Sequence, residues 1–125
     1  MSALELISDT FLPVNEIAQF AAPQIFERGR EFLSGYKAWI AECRDAALAG
    51  LSGCAFVPPR GGFYITLPIP SGEEETASCL LRDSHILTHP GYFYDIQPDH
   101  LVMTFIEEPG NVRSAFREIG KYGKA

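Results

Sequence analysis

The chain has 125 residues, a formal net charge of −6, and 46% hydrophobic against 21% charged residues. This suits a single domain with one modest core. The ten Lys and Arg are spread singly, which argues against phosphate-backbone binding, and the apolar runs are too short and too broken by charge to span a bilayer.

The opening stretch MSALELISDT carries acids and no basic leader, so it does not read as a secretory signal. Asn15 reads as a helix N-cap before a short apolar turn, EIAQFAA, that ends at Pro23. From Pro23 to about Gly50 the pattern predicts one long amphipathic helix. Phe26, Gly29, Leu33, Tyr36, Ile40, Cys43 and Ala47 recur at alternating spacings of three and four. Ile25, Phe32 and Trp39 form a second stripe beside them, and Arg28, Glu31, Ser34, Glu42 and Asp45 lie mostly opposite. So wide an apolar face calls for more than one neighbour.

VPPRGGFYITLPIP follows. Its prolines stop the helix, and Gly61-Gly62 permits a tight turn or a close backbone approach. Phe63, Ile65 and Leu67 alternate with Tyr64 and Thr66, which predicts a strand with one mainly buried face; Pro68 and Pro70 end it or confine it to an edge. Ser71 reads as the cap of a short helix through about Asp83, with Glu73, Glu74 and Glu75 as solvated charges in its first turn. HILTH reads as a brief strand. The segment THPGYFYDIQPD then forms a His-Pro-Gly turn and an aromatic run ahead of the strand HLVMTFI, where Leu101, Met103 and Phe105 share one face and Val102, Thr104 and Ile106 the other. A last helix follows Pro109-Gly110, capped by Asn111, with Val112, Phe116 and Ile119 on its apolar face. The order helix, strand, helix, strand, strand, helix predicts an α+β fold with a small antiparallel or mixed sheet under helices.

Familiar catalytic patterns are missing. The sequence has no GxSxG, HExxH, Walker or GxGxxG motif. Gly61-Gly62 alone makes no phosphate cradle, because a strand follows it where a helix N-terminus would be needed. Cys43, Cys54 and Cys79 are odd in number and widely spaced, as expected of reduced thiols in the cytoplasm. His85, His89 and His100 lack metal-ligand spacing, so no metal site is expected. Cys54 with His89 as nucleophile and base lacks anything local to activate the thiol. The chain reads as having no self-sufficient active site.

The order of these segments resembles the C-terminal part of class I/II aminotransferases, the fold-type I pyridoxal-phosphate enzymes, over nearly the whole chain. ISDTFLPVNEIAQ is similar to the passage from the large domain into the interdomain helix. PPRGGFYITLPIP resembles the family's Pro-x-Gly-Gly-aromatic strand. LLRDSHILTHPGYFYD resembles the helix-to-strand passage with its Pro-Gly-aromatic turn, and HLVMTFIEEPGNVRSAFREI the last strand and final helix. The resemblance implies that residues 1–125 form one small domain of an enzyme that moves an amino group between an amino acid and a 2-keto acid.

It also implies that pyridoxal phosphate, an electron sink bound as a Schiff base to a lysine, belongs to a large domain upstream. None of Lys37, Lys121 and Lys124 sits in a matching motif, so the chain alone should carry no cofactor and no catalytic residue. Many members have an arginine in the last strand that grips the substrate carboxylate; Val102 stands there instead. A subgroup with a His-Pro-Gly-Tyr-Phe turn also reads Leu-Val at this place. By that likeness His89, Tyr92 and Tyr94 lie in or near the active-site mouth, Gly62 allows close approach, and Val102 supplies an apolar wall. A cytoplasmic homo-oligomer is the implied assembly, without nucleic acid or membrane. The alternative is an α+β binding or interaction module without catalysis, which needs neither the lysine nor a large domain.

Overall fold

The computed structural model describes residues 2–10, 14–70 and 72–123. The chain divides into two compact units, residues 1–36 and 37–125, the division falling within its third helix. The fold class is α+β, as the sequence pattern predicts: helices come first, and a small antiparallel sheet follows with helices packed on it.

The first unit holds α1 (Ser2–Thr10), α2 (Glu16–Arg28) and the start of α3 (Arg30–Gly50). Helix α1 was not expected from the sequence. Asn15 is the cap that was predicted: its Oδ1 accepts the Ile17 N–H at 2.8 Å. That cap starts α2 at Glu16, so Pro23 lies inside a helix and does not open one. The expected single helix is in fact two. Gly29, at φ −81° and ψ 0°, interrupts the run, although its N–H still reaches the Ile25 carbonyl at 2.8 Å and its own carbonyl accepts from Leu33 at 2.8 Å. No described side chain of this unit is buried. Ile17, Phe20, Ile25, Phe26 and Phe32 are all mostly exposed.

The second unit contains the core. Strands β1 (Tyr64–Pro68), β2 (His89–Pro90) and β3 (His100–Thr104) form an antiparallel sheet in the order β1-β3-β2, with β3 in the centre. The register sets Ile65 opposite Met103 and Leu67 opposite Leu101, and these four side chains are buried. They meet Cys43, Ala46, Ala47 and Leu51 from the end of α3, Ala77 and Leu80 of α4 (Glu73–Ser84), Phe105, and Val112, Phe116 and Ile119 of α5 (Pro109–Ile119). The alternation read from the sequence is therefore the real partition of the sheet. Two residues depart from a simple buried-exposed alternation: Phe63, 39% exposed just ahead of β1, and Val102, 6% exposed although it faces away from the core cluster.

Two local expectations change. HILTH was expected to be a strand, but only His89 and Pro90 pair with β3. Ser84 ends α4, and His85 caps it in the left-handed region at φ 56°, so the chain is still turning where the strand was placed. Helix α5 is capped by Glu108 and not by Asn111. The Glu108 carboxylate accepts from the Gly110 and Asn111 amides at 2.8 and 3.1 Å, and Pro109 takes the first helical position, where its missing N–H costs nothing. Ser71 lies outside the described residues; Gly72 occupies the N-cap position of α4. Among the described residues no helix is long and apolar enough to cross a membrane.

Candidate functional site

Side chains alternate across a strand, so the buried set on β1 and β3 leaves Tyr64, Thr66, Val102 and Thr104 on the sheet's outer face. Val102 pairs with Thr66 on one side and His89 on the other. The Pro90 backbone then enters a 3-10 turn, Gly91–Tyr94, which folds Tyr94 back toward His89. His89 Nδ1 and the Tyr94 hydroxyl are 2.7 Å apart, and the rings lie near parallel at 21° with centroids 6.0 Å apart. Phe93 sits against the same imidazole at 5.7 Å. His89, Tyr94 and Val102, with Tyr64, Leu87, Met103 and Thr104, line a cavity of about 190 Å³.

The turn is held by a residue that the sequence reading set aside. Glu73, taken as one of three solvated acids, is half-buried. Its Oε2 accepts from the Gly91 and His100 amides at 2.9 Å each, and its Oε1 accepts from Tyr92 at 3.2 Å. One carboxylate thereby satisfies three main-chain donors and ties the start of α4 to both ends of the aromatic loop. Asp95, in the left-handed region at φ 55°, closes the turn, with its N–H directed to the Tyr92 carbonyl at 3.3 Å. Glycine is required at 91. A Cβ there would come within 2.9 Å of the His100 Cβ and 3.0 Å of Glu73 Oε2. No local pattern in the sequence separates Glu73 from Glu74 and Glu75; only the placement of a loop 18 residues later does.

The five residues singled out from the sequence are distributed over three places. His89, Tyr94 and Val102 come together, and Val102 is an apolar wall of the cavity, 6% exposed. Tyr92 points into a neighbouring groove of about 330 Å³, which also touches His89 and includes Leu81, Leu87, Thr88 and Phe93. The Thr88 hydroxyl in that groove is buried without a hydrogen-bond partner. Gly62 lies elsewhere, in a cavity with Gly61, Lys37, Arg44 and Arg60.

The cavity has the makings of a binding site more than of a catalytic one. With Nδ1 engaged by Tyr94, the His89 Nε2 has no protein partner among the described residues. It is left to hydrogen-bond a ligand. Cys54 is not part of this arrangement, since its thiol is directed to the Gly120 carbonyl at 3.3 Å. On α4, Arg82 donates to Asp83 at 2.8 Å, and that hydrogen bond holds the Asp83 carboxyl below the usual carboxylate range; neither side chain lines the cavity. Among the described residues no group of three His, Cys, Asp or Glu side chains is set to hold a metal ion. No family model, no curated protein and no solved structure matches this chain.

Proposed function

We propose that the chain is the small, C-terminal domain of a class I/II, pyridoxal-phosphate-dependent aminotransferase, with His89, Tyr94 and Val102 forming one wall of a site that a large domain completes. The observation that carries this reading is the braced turn. Its backbone is fixed by Glu73, yet Tyr92, Phe93 and Tyr94 are 44%, 59% and 47% exposed. Fixing a loop so that its aromatics face outward costs conformational freedom without filling the core, which makes sense where those rings close over something held by another domain. The three free thiols fit a cytoplasmic protein, and its substrates are an amino acid and a 2-keto acid.

The cofactor does not fit the residues present here. Lys37 lines the Gly61-Gly62 cavity, Lys121 pairs with Glu118, and Lys124 lies outside the described residues. Neither described lysine borders the His89 cavity, so this reading assigns the Schiff base to the large domain. Mixed with pyridoxal phosphate, the isolated chain is expected to show no aldimine absorbance band that borohydride fixes to one lysine. Such a band, mapped to Lys37, Lys121 or Lys124, would refute the assignment.

The positive test uses the enzyme that contains both domains. His89→Ala is expected to lower kcat/KM about tenfold, the worth of one lost hydrogen bond at the site. Tyr94→Phe, which removes the partner of Nδ1, should have a smaller effect in the same direction. Unaltered kinetics in H89A for every accepted substrate would remove His89 from the site. Finding no large domain partner and no transaminase activity would favour a binding module instead.

A further inference from the structure

Three of the ten cations of this acidic chain gather at the entry to β1. Lys37 and Arg44 stand seven residues apart on α3, two helical turns, so they share one face. Arg60 comes from the loop ahead of the strand. Together with Ile40, Ala41, Gly61 and Gly62 they line a cavity of about 460 Å³. Lys37 and Arg60 have no ion-pair partner among the described residues. Arg44 directs Nη2 and Nε to Asp45 at 3.0 and 3.3 Å, which leaves its remaining N–H donors available.

The backbone supplies a second set of donors. Gly62 is in the left-handed region at φ +69°, and the N–H groups of Gly61 and Gly62 have no hydrogen-bond acceptor among the described residues. A Cβ built on either glycine would meet no atom within 4 Å, so open space adjoins both residues on that side. Consecutive unengaged amides beside a left-handed residue form the kind of concavity that takes an anion. Gly61-Gly62 has no helix N-terminus behind it, but the three cations provide the positive potential that a helix end would otherwise give.

We propose that this cavity binds a small oxyanion, carboxylate or phosphate, through Lys37, Arg44 and Arg60 together with the Gly61 and Gly62 amides. The guanidinium forks suit the planar or tetrahedral oxygens of such groups, and the lysine adds a compact charge. A net charge of −6 repels anions from the chain as a whole, so binding here depends on this local reversal of sign. The site shares no residue with the His89 cavity and stands or falls without the aminotransferase reading.

The test is a titration of the ¹⁵N-labelled chain with inorganic phosphate and, separately, with glutarate, at ionic strength held constant by potassium chloride. The Gly61 and Gly62 amide resonances should move and saturate. K37Q and R60Q, both at exposed positions, should each raise the midpoint about tenfold with the melting temperature unchanged. Saturation by phosphate alone identifies a phosphate ligand, and by glutarate alone a carboxylate ligand; either supports the site. Glycine amides that stay in place with both anions, or that respond equally in the K37Q/R60Q double variant, would overturn it.

Discussion

Glu73→Ala is expected to destabilise the second unit by about 2–4 kcal/mol, while Glu74→Ala and Glu75→Ala stay within about 0.5 kcal/mol of the parent. The three acids are adjacent, and only Glu73 accepts from Gly91, Tyr92 and His100. Hydrogen bonds to a charged acceptor contribute about 1.5–3 kcal/mol each, and three bonds to one carboxylate are coupled, so their sum overstates the loss. Removing the side chain also strands the Gly91 and His100 amides, which are partly shielded from water. Glu73→Gln keeps one acceptor oxygen and should fall between the two. Denaturant melts of the variants, with hydrogen exchange read at Gly91 and His100, measure both the global and the local loss. Equal stability of E73A and E74A would show that the carboxylate does not hold the turn. On the proposed aminotransferase reading, E73A should also weaken substrate binding in the two-domain enzyme, since His89 and Tyr94 would lose the turn that Glu73 braces.

Phe105→Ala should cost about 3–5 kcal/mol, the usual range for emptying a buried aromatic site, whereas Phe32→Ala should hardly change folding stability. Phe105 is 1% exposed at the end of β3, within the cluster that joins the sheet to α3, α4 and α5. Phe32 is 70% exposed and stacks on Tyr36, with ring centroids 5.8 Å apart. The two changes separate in a second assay. Phe20, Ile25, Phe26 and Phe32 are each more than half exposed, and burying such a side chain is worth about 1.5–3 kcal/mol. The isolated chain is therefore expected to self-associate at high concentration, against the repulsion of its −6 charge. Salt should strengthen that association by screening, and Phe32→Ala should weaken it. Trp39 contributes less than its place in the sequence stripe implies, because it is half-buried against the core. A sedimentation dilution series is the check, and a monomer at every concentration and salt level would refute the prediction.

The sheet was legible because its signal is local and periodic. Ile65 and Leu67, or Leu101 and Met103, can face one core only if the intervening Thr66 and Val102 face away. Helical periodicity across residues 25–47 was equally readable, as was the cap at Asn15, whose side chain acts two residues away. The break at Gly29 was not readable, since its spacing continued the apolar stripe and a glycine within a helix is a modest cost. The cap of α5 was misread by three positions because Glu108 is an uncommon N-cap. Its carboxylate reaches forward over Pro109 to two free amides.

By itself the sequence determined the class of fold, the alternation of the sheet, the aromatic turn with its obligatory Pro-Gly, and the absence of familiar catalytic motifs. Each of these follows from residues within one element or one turn of each other. Tertiary structure decided what those residues meet. It brought Glu73 under the turn, paired His89 with Tyr94, and moved Gly62 away from them into a basic cavity with Lys37, Arg44 and Arg60. These contacts join positions 5 to 27 residues apart or more, and a linear pattern carries no term for them. The meeting of such positions is set by how α4 and the loops close on the sheet, which depends on packing summed over the whole core and not on any local preference.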